Sequence, residues 1–114
     1  MHEYSITSSI LEILQKVANE KSLKKIKKVN FELNKLASIE PESIKFYFNF
    51  LTKDDVILKG AKLYFKKISI KVRCNDCSKI LNLKSFEVKC PDCQSRNVDV
   101  LSADDIKIIS ILAD

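Results

Sequence analysis

The sequence predicts an α+β fold, a small three-stranded sheet with two helices on one face, interrupted by an inserted cysteine-bearing ribbon. Three observations predict it. A helix-period apolar face opens the chain, strict alternation follows at Val29, Phe31 and Leu33, and four cysteines stand in two close pairs ahead of one last apolar stretch.

From Ser5 onward, Ile6, Ile10, Ile13, Leu14 and Val17 fall at i, i+4, i+7, i+8 and i+11, one face of an amphipathic helix. Ser5 or Thr7 is expected to cap it. That leaves Met1, His2 and Glu3 as a short exposed lead beside the positive end of the helix dipole. Beyond the lysine cluster, Val29, Phe31 and Leu33 alternate with Lys28, Asn30, Glu32 and Asn34, the period of a half-buried strand. In "IEPESIKFYFNFL" the phenylalanines at 46, 48 and 50 alternate like a strand, while Ile44, Tyr47, Phe48 and Leu51 fit a helix. Pro41 in the first turn, flanked by Glu40 and Glu42, decides for the helix. A long strand is then expected from Ala61 through Leu63, Phe65, Ile68, Ile70 and Val72 to Cys74, with a change of parity near Lys66 that predicts a bulge. The closing "DDIKIISIL" reads as another strand, too short a tail to form a domain, and is expected to rejoin the first sheet. The resulting boundaries are one domain over residues 1–72, completed by a strand within 102–114, and a cysteine-bearing domain over 73–101.

With 114 residues, 46% of them hydrophobic and 31% charged, the chain can bury one ordinary core or a core with a satellite. No apolar run approaches the ~18 residues of a membrane span, and no leader pattern opens the chain. A soluble, cytoplasmic protein is expected. The net charge of +5 comes largely from lysine, five of them in "KSLKKIKK" at 21 to 28. Such a stretch meets phosphates or an acidic protein, or is simply a solvated loop and strand edge. Arginine is scarce (Arg73, Arg96), so bidentate forks for phosphate or base recognition are few. The single glycine, Gly60, excludes a P-loop and a GxGxxG dinucleotide turn.

"CNDC" and "CPDC" contribute Cys74, Cys77, Cys90 and Cys93 in a C-x2-C-x12-C-x2-C pattern. Each pair can present two thiolates from one tight turn, and four thiolates meeting tetrahedrally suit Zn(II). Two disulfides would suit a secreted miniprotein, and a thioredoxin-like role needs one pair at a strand-to-helix junction. Iron fits the same four thiolates. With every position taken by sulfur, no site remains open for water or substrate, so a structural metal is expected. The segment's large apolar residues are few (Ile80, Leu81, Leu83, Phe86, Val88), so a metal-binding free energy of about 10 kcal/mol would supply most of its folding. Turns of this kind usually carry Gly just after the second Cys, where φ is positive. Here Ser78 and Gln94 stand in those places, at a cost of roughly 1 kcal/mol each.

The only histidine, His2, lies next to the amino terminus. The terminal amine of Met1, the amide nitrogens of His2 and Glu3, and a ring nitrogen of His2 can surround one cation in a plane. Square-planar nitrogen donation is preferred by Ni(II) and Cu(II). The plain alternative is a disordered terminal residue.

"MHEYSI" followed by two CxxC pairs resembles, across the whole chain, the HypA/HybF family of hydrogenase and urease nickel-incorporation proteins. "IEPESIKFYF" is similar to the family's acidic-Pro-Glu helix start, "KGAKLYF" to its Gly-Ala-x-Leu strand opening, and "CPDC" to its second zinc turn. The resemblance implies a nickel metallochaperone rather than an enzyme. Its implied partners are a HypB-type GTPase, the large subunit of [NiFe]-hydrogenase and, in some bacteria, urease with its accessory proteins. It further implies transported Ni(II) at His2, with Met1 and Glu3 completing the site, and structural Zn(II) at Cys74, Cys77, Cys90 and Cys93. The two domains become a nickel-binding domain and a zinc ribbon.

The chain departs from the family at Asn34, Lys35, Leu36 and Ala37, where Gly-Glu-Leu-Ser is usual, and at Ala103, where Gly is common. Asn34 tolerates the left-handed backbone that a glycine there would take. No histidine flanks the zinc cysteines, so pH sensing through such residues is absent. The leading rival is a zinc-ribbon nucleic-acid-binding module, whose lysines would contact phosphates. Against it, Phe86 is the ribbon's only aromatic platform, and neither nucleic acid nor membrane is expected as a partner. A purely scaffolding protein is the second rival.

Overall fold

The computed structural model describes residues 2–83, 87–101 and 104–114, with the backbone alone at His2. Helix α1 spans His2–Glu20. It therefore starts ahead of the expected cap, and His2 and Glu3 belong to its first turn rather than to an exposed lead; Met1 lies outside the described residues. Thr7 is no cap: it is fully buried, and its Oγ1 donates to the Glu3 carbonyl at 2.6 Å. Because that bond satisfies the hydroxyl, Thr7 can sit mid-face, and the buried stripe becomes Thr7, Ile10, Leu11, Leu14 and Ala18, leaving Ile13 half exposed.

The helix ends in a Schellman arrangement. Leu23 N–H donates to Ala18 O at 2.9 Å and Ser22 N–H to Asn19 O at 3.3 Å, with Ser22 at φ 50°. A serine takes the left-handed position that glycine usually fills.

Strand β1, Ile26–Asn34, shows the alternation expected, with Val29, Phe31 and Leu33 buried. It is the central strand of its sheet, so Lys27 and Lys28 do not lie on a sheet edge. Lys27 pairs with Asp114 at 3.1 Å, and the Lys28 ammonium stands 5.0 Å from the Tyr64 ring centroid. At the end of β1, Asn34 is buried and accepts the Leu36 N–H on its Oδ1 at 2.9 Å. Its role is an Asx turn and not a left-handed residue; among the described non-glycine residues only Ser22, Ser78 and Gln94 have positive φ.

Helix α2, Pro41–Leu51, follows the sequence signal closely. Glu40 is the N-cap, accepting from Glu42 N–H, and Pro41 opens the first turn. Thr52 closes the helix with N–H and Oγ1 both on the Phe48 carbonyl, at 3.0 and 2.7 Å. The helical reading of the phenylalanines holds: Phe48 is fully buried with Ile44, while Phe46 and Phe50 face outward.

After α2, Gly60 turns the chain at φ 79° into β2, Lys62–Ile68. Within β2 the inward positions shift from Leu63 and Phe65 to Ile68, the change of parity expected near Lys66. The long strand to Cys74 is nevertheless two strands. The break falls at Ser69 and Ile70, and β3, Lys71–Cys74, belongs to a different sheet. Backbone partners explain the break: Ile68 O accepts from Lys35 N–H at 2.8 Å, whereas Ile70 O accepts from Leu83 N–H at 2.7 Å. Strand β4, Ile80–Asn82, and β5, Val98–Val100, both pair antiparallel with β3, giving the order β4-β3-β5. Finally β6, Ile106–Ala113, returns to the first sheet as expected, in the order β2-β1-β6.

The chain forms two compact units. One comprises Met1–Phe31, Ile39–Lys66 and Ile108–Asp114; the other comprises Glu32–Ser38 and Lys67–Lys107. The first is cored by Leu14, Ile26, Val29, Phe31, Ile44, Phe48 and Leu58, all at most 2% exposed, with α1 packed on α2 and the Phe31 and Phe65 rings stacked at 4.8 Å. The second has a thinner interior of Leu33, Val72, Leu83, Cys74 and Cys90, while Ile80 and Val88 are exposed. Phe86, expected to join it, lies outside the described residues. No described helix is long and apolar enough to cross a membrane.

The register of α2 makes a clear contrast measurable. Phe48→Ala should cost about 3–5 kcal/mol in urea unfolding, and Phe50→Ala less than about 0.5 kcal/mol; equal losses would contradict the helix's assigned face.

Candidate metal centre

The two Cys-x-x-Cys segments fold into near-identical turns. In the first, Cys74 N–H donates to Lys79 O (2.9 Å), Ser78 N–H to Cys74 O (2.9 Å) and Cys77 N–H to Cys74 Sγ (3.4 Å). In the second, Cys90 N–H donates to Ser95 O (2.8 Å), Gln94 N–H to Cys90 O (3.0 Å) and Cys93 N–H to Cys90 Sγ (3.5 Å). Each turn closes through a residue at positive φ, Ser78 at 62° and Gln94 at 66°, as the missing glycines predict. Amide donation to a sulfur favours its thiolate form, so the first turn prepares Cys74 as a ligand as it folds.

Strand β3 delivers Cys74 from its last residue, and the chain beyond β4 brings the second turn over the first. The four sulfurs lie within 4.8 Å of one another, with Cys74 and Cys93 at 3.5 Å and Cys77 and Cys90 at 3.7 Å. A tetrahedral Zn(II) with bonds near 2.3 Å sets its ligands about 3.8 Å apart. The spacing fits such an ion, and it is far wider than the ~2.05 Å of a disulfide. All four cysteines are free.

Cys74, Cys77 and Cys93 do not titrate alike. Cys74 is lowered to about 7, chiefly by the Cys77 backbone N–H. For Cys93 the Ser95 backbone N–H lowers the pKa, but the Cys74 sulfur, burial, and the sulfurs of Cys90 and Cys77 outweigh it and push it up to about 12. Cys77 is raised in the same way: the Lys79 backbone N–H pulls down, while burial and the sulfurs of Cys74 and Cys90 push up. Charge on one sulfur opposes charge on the next. A divalent cation among them removes that opposition, which is the chemistry this donor set can offer.

Around the sulfurs runs a set of polar links that linear reading missed. Ser95 Oγ donates to Asp76 Oδ2, and Lys79 pairs with Asp92 at 3.1 Å, an arrangement that holds the Lys79 pKa up through the Asp92 carboxylate. The third residue of each turn thus bonds the sixth residue of the other, a reciprocal exchange. The repeated Asp in "CNDC" and "CPDC" was its signal in the sequence. Arg96 with Glu87 (3.1 Å) and Asn75 with Asn97 (3.1 Å) extend the set.

At the other candidate site, Met1 lies outside the described residues and His2 is described only as the first residue of α1. Glu3 is partly buried, and its Oε2 accepts the Glu40 N–H at 3.4 Å. Glu3 is thereby tied to the N-cap of α2, a link between distant residues that no spacing in the sequence announces. Beside it the Tyr4 and Tyr47 rings meet edge to face at 5.4 Å.

Comparison with known proteins places the chain in a family. The family model described as hydrogenase/urease nickel incorporation, metallochaperone, HypA matches residues 1–113. A hydrogenase maturation factor HypA from Caldanaerobacter subterraneus subsp. tengcongensis is 36% identical over 98 residues, covering 86% of this chain and 85% of that protein. A hydrogenase maturation factor HybF from Proteus vulgaris is 31% identical over 111 residues, covering 97% of each. The solution structure of the Ni metallochaperone HypA from Helicobacter pylori superposes with a TM-score of 0.73 at 20% identity, covering 97% of this chain and 96% of that one, a likeness of fold.

The two positive-φ residues of the turns supply a test. Ser78→Gly and Gln94→Gly should each raise the zinc-loaded protein's stability by roughly 1 kcal/mol, read as a higher urea midpoint. Ser78→Ala should bring no gain, and a gain equal to glycine's would show that side-chain loss, not backbone strain, is responsible.

Proposed function

Because this chain belongs to the HypA family of hydrogenase/urease nickel-incorporation metallochaperones, we propose that it carries Ni(II) at its N-terminus. In this reading it delivers the ion to the maturing large subunit of [NiFe]-hydrogenase, or to urease, with a HypB-type GTPase. The observation that carries the reading is where α1 begins. The helix starts at His2, and the first N–H groups of any α-helix have no intrahelical acceptor. The amide nitrogens of His2 and Glu3 therefore lose no helical bond when a metal displaces their protons.

With the Met1 amine and a His2 ring nitrogen, those amides make a four-nitrogen plane of the kind Ni(II) prefers. Two deprotonated amides also cancel the charge of the dication, so the positive end of the helix dipole does not repel the loaded site. Glu3 keeps its carboxylate on the Glu40 N–H, which holds the first turn of α1 in place while its amide faces the ion. The plane is open above and below. An incoming ligand of the acceptor can attach there and begin exchange without prior dissociation.

The second metal in this reading is structural. Cys74, Cys77, Cys90 and Cys93 would hold Zn(II), whose sulfur donation fixes the two turns and leaves no position for substrate. Four reduced cysteines kept for a metal suit a reducing compartment, the cytoplasm. The functional boundaries follow as a nickel-binding domain over 1–72, completed within 102–114, and a zinc ribbon over 73–101. No nucleophile or acid–base pair is part of the scheme, and the protein acts as a carrier and not an enzyme.

Titrating Ni(II) into the zinc-loaded protein with a native amino terminus tests the site. The untouched protein should bind one equivalent with the visible bands of square-planar nickel. His2→Ala and a form extended by one residue before Met1 should both lose those bands, and binding should weaken as pH falls, since protons compete for every donor. Identical titrations for all three forms would remove the terminus from the mechanism.

A further inference from the structure

The second compact unit holds, apart from its sulfurs, a concavity of about 440 Å³ lined by Glu32, Lys35, Lys67, Ile68, Ser69, Lys71 and Asn82. Its construction is fixed by backbone. Lys35 N–H bonds Ile68 O at 2.8 Å, which sets Lys35 beside Lys67 and Ile68, and Lys71 faces Asn82 as a strand partner in the β3–β4 pair. Three lysines from two separate stretches of chain, 32–35 and 67–71, thus line one hollow. Among the described residues none of the three takes part in an ion pair, whereas Lys16, Lys27, Lys45, Lys79 and Lys89 each have a carboxylate partner. Glu32 is the one acid in the lining.

We infer that this hollow is a docking site for an acidic segment of a partner protein, with Lys35, Lys67 and Lys71 receiving its carboxylates. Charge complementarity carries the argument: three unpaired cations against one anion leave a local excess that an acidic chain neutralises. A nucleic-acid strand fits the same lining poorly. No aromatic ring and no arginine lines it, so neither base stacking nor a bidentate phosphate fork is available. Glu32 would also stand against a continuous phosphate backbone, while side-chain carboxylates can be spaced around it. The surface lies outside the Met1, His2 and Glu3 reading and does not depend on it.

The test uses the full-length, zinc-loaded protein and a fluorescein-labelled hexaglutamate peptide, followed by anisotropy. The triple variant K35Q/K67Q/K71Q should bind about tenfold more weakly than wild type, while K21Q/K24Q/K59Q, which removes the same charge from other exposed positions, should change affinity less than about threefold. Glu32→Gln should tighten binding about threefold, a gain that no folding defect can mimic. Equal losses in the two triple variants would overturn the proposal, since net charge alone would then explain binding. Equal binding of a hexaglutamine peptide would overturn it as well. Hexathymidylate bound more tightly than hexaglutamate, with the same dependence on Lys35, Lys67 and Lys71, would replace the acidic protein with a nucleic acid.

Discussion

Two successive backbone amides organise the route of this chain. Lys35 N–H holds Ile68 O at 2.8 Å and Asn34 N–H holds Asp105 O at 2.9 Å, so the strand that leaves for the ribbon and the strand that comes back are pinned on either side of β1, at its end. The Asx turn at Asn34 places those amides, because its side chain holds the Leu36 N–H and turns the chain off the sheet. With β1 central, β2 and β6 can each bond one of its edges. The ribbon then has no free end and must be built as an excursion between two fixed points.

The two compact units rest on different physics. The first buries two aromatic rings and a set of branched aliphatic side chains between helices and sheet, enough apolar area for the hydrophobic effect to dominate. In the second, two of the buried side chains are cysteines, and Ile80 and Val88 lie exposed. Its exposed ion pairs, such as Lys79 with Asp92, are screened by solvent and add little stability. What the second unit has in place of a larger core is a set of four sulfurs already spaced for a tetrahedral ion, and two turns whose amides aim at those sulfurs.

Most of the fold was legible because its signals are local. The alternation at Val29, Phe31 and Leu33, Pro41 at a helix start and the spacing of four cysteines each depend on a few neighbouring residues. What the sequence concealed was mostly long-range or cooperative. The start of α1 was misread because Thr7 looked like a cap, and only burial makes it bond backward to Glu3. The span from Ala61 to Cys74 read as one strand, since a change of hydrogen-bond partner at Ser69 leaves no mark on hydropathy. The tie of Glu3 to Glu40 joins residues far apart in sequence, where spacing carries no information. The strained positions Ser78 and Gln94, by contrast, were legible from an absence: a chain with one glycine must make its left-handed turns from other residues.

The pinning at Asn34 and Lys35 also decides what becomes of the rest if the ribbon loses order. Its roughly three dozen residues would then be a flexible loop whose ends are still clamped, and loop-closure entropy grows only as the logarithm of length, to about 3 kcal/mol here. Lengthening such a loop twofold adds only ~0.6 kcal/mol. The sheet of β2, β1 and β6 is therefore nearly indifferent to what hangs between its strands, so the ribbon's length and sequence are free to diverge without unravelling the unit that carries α1.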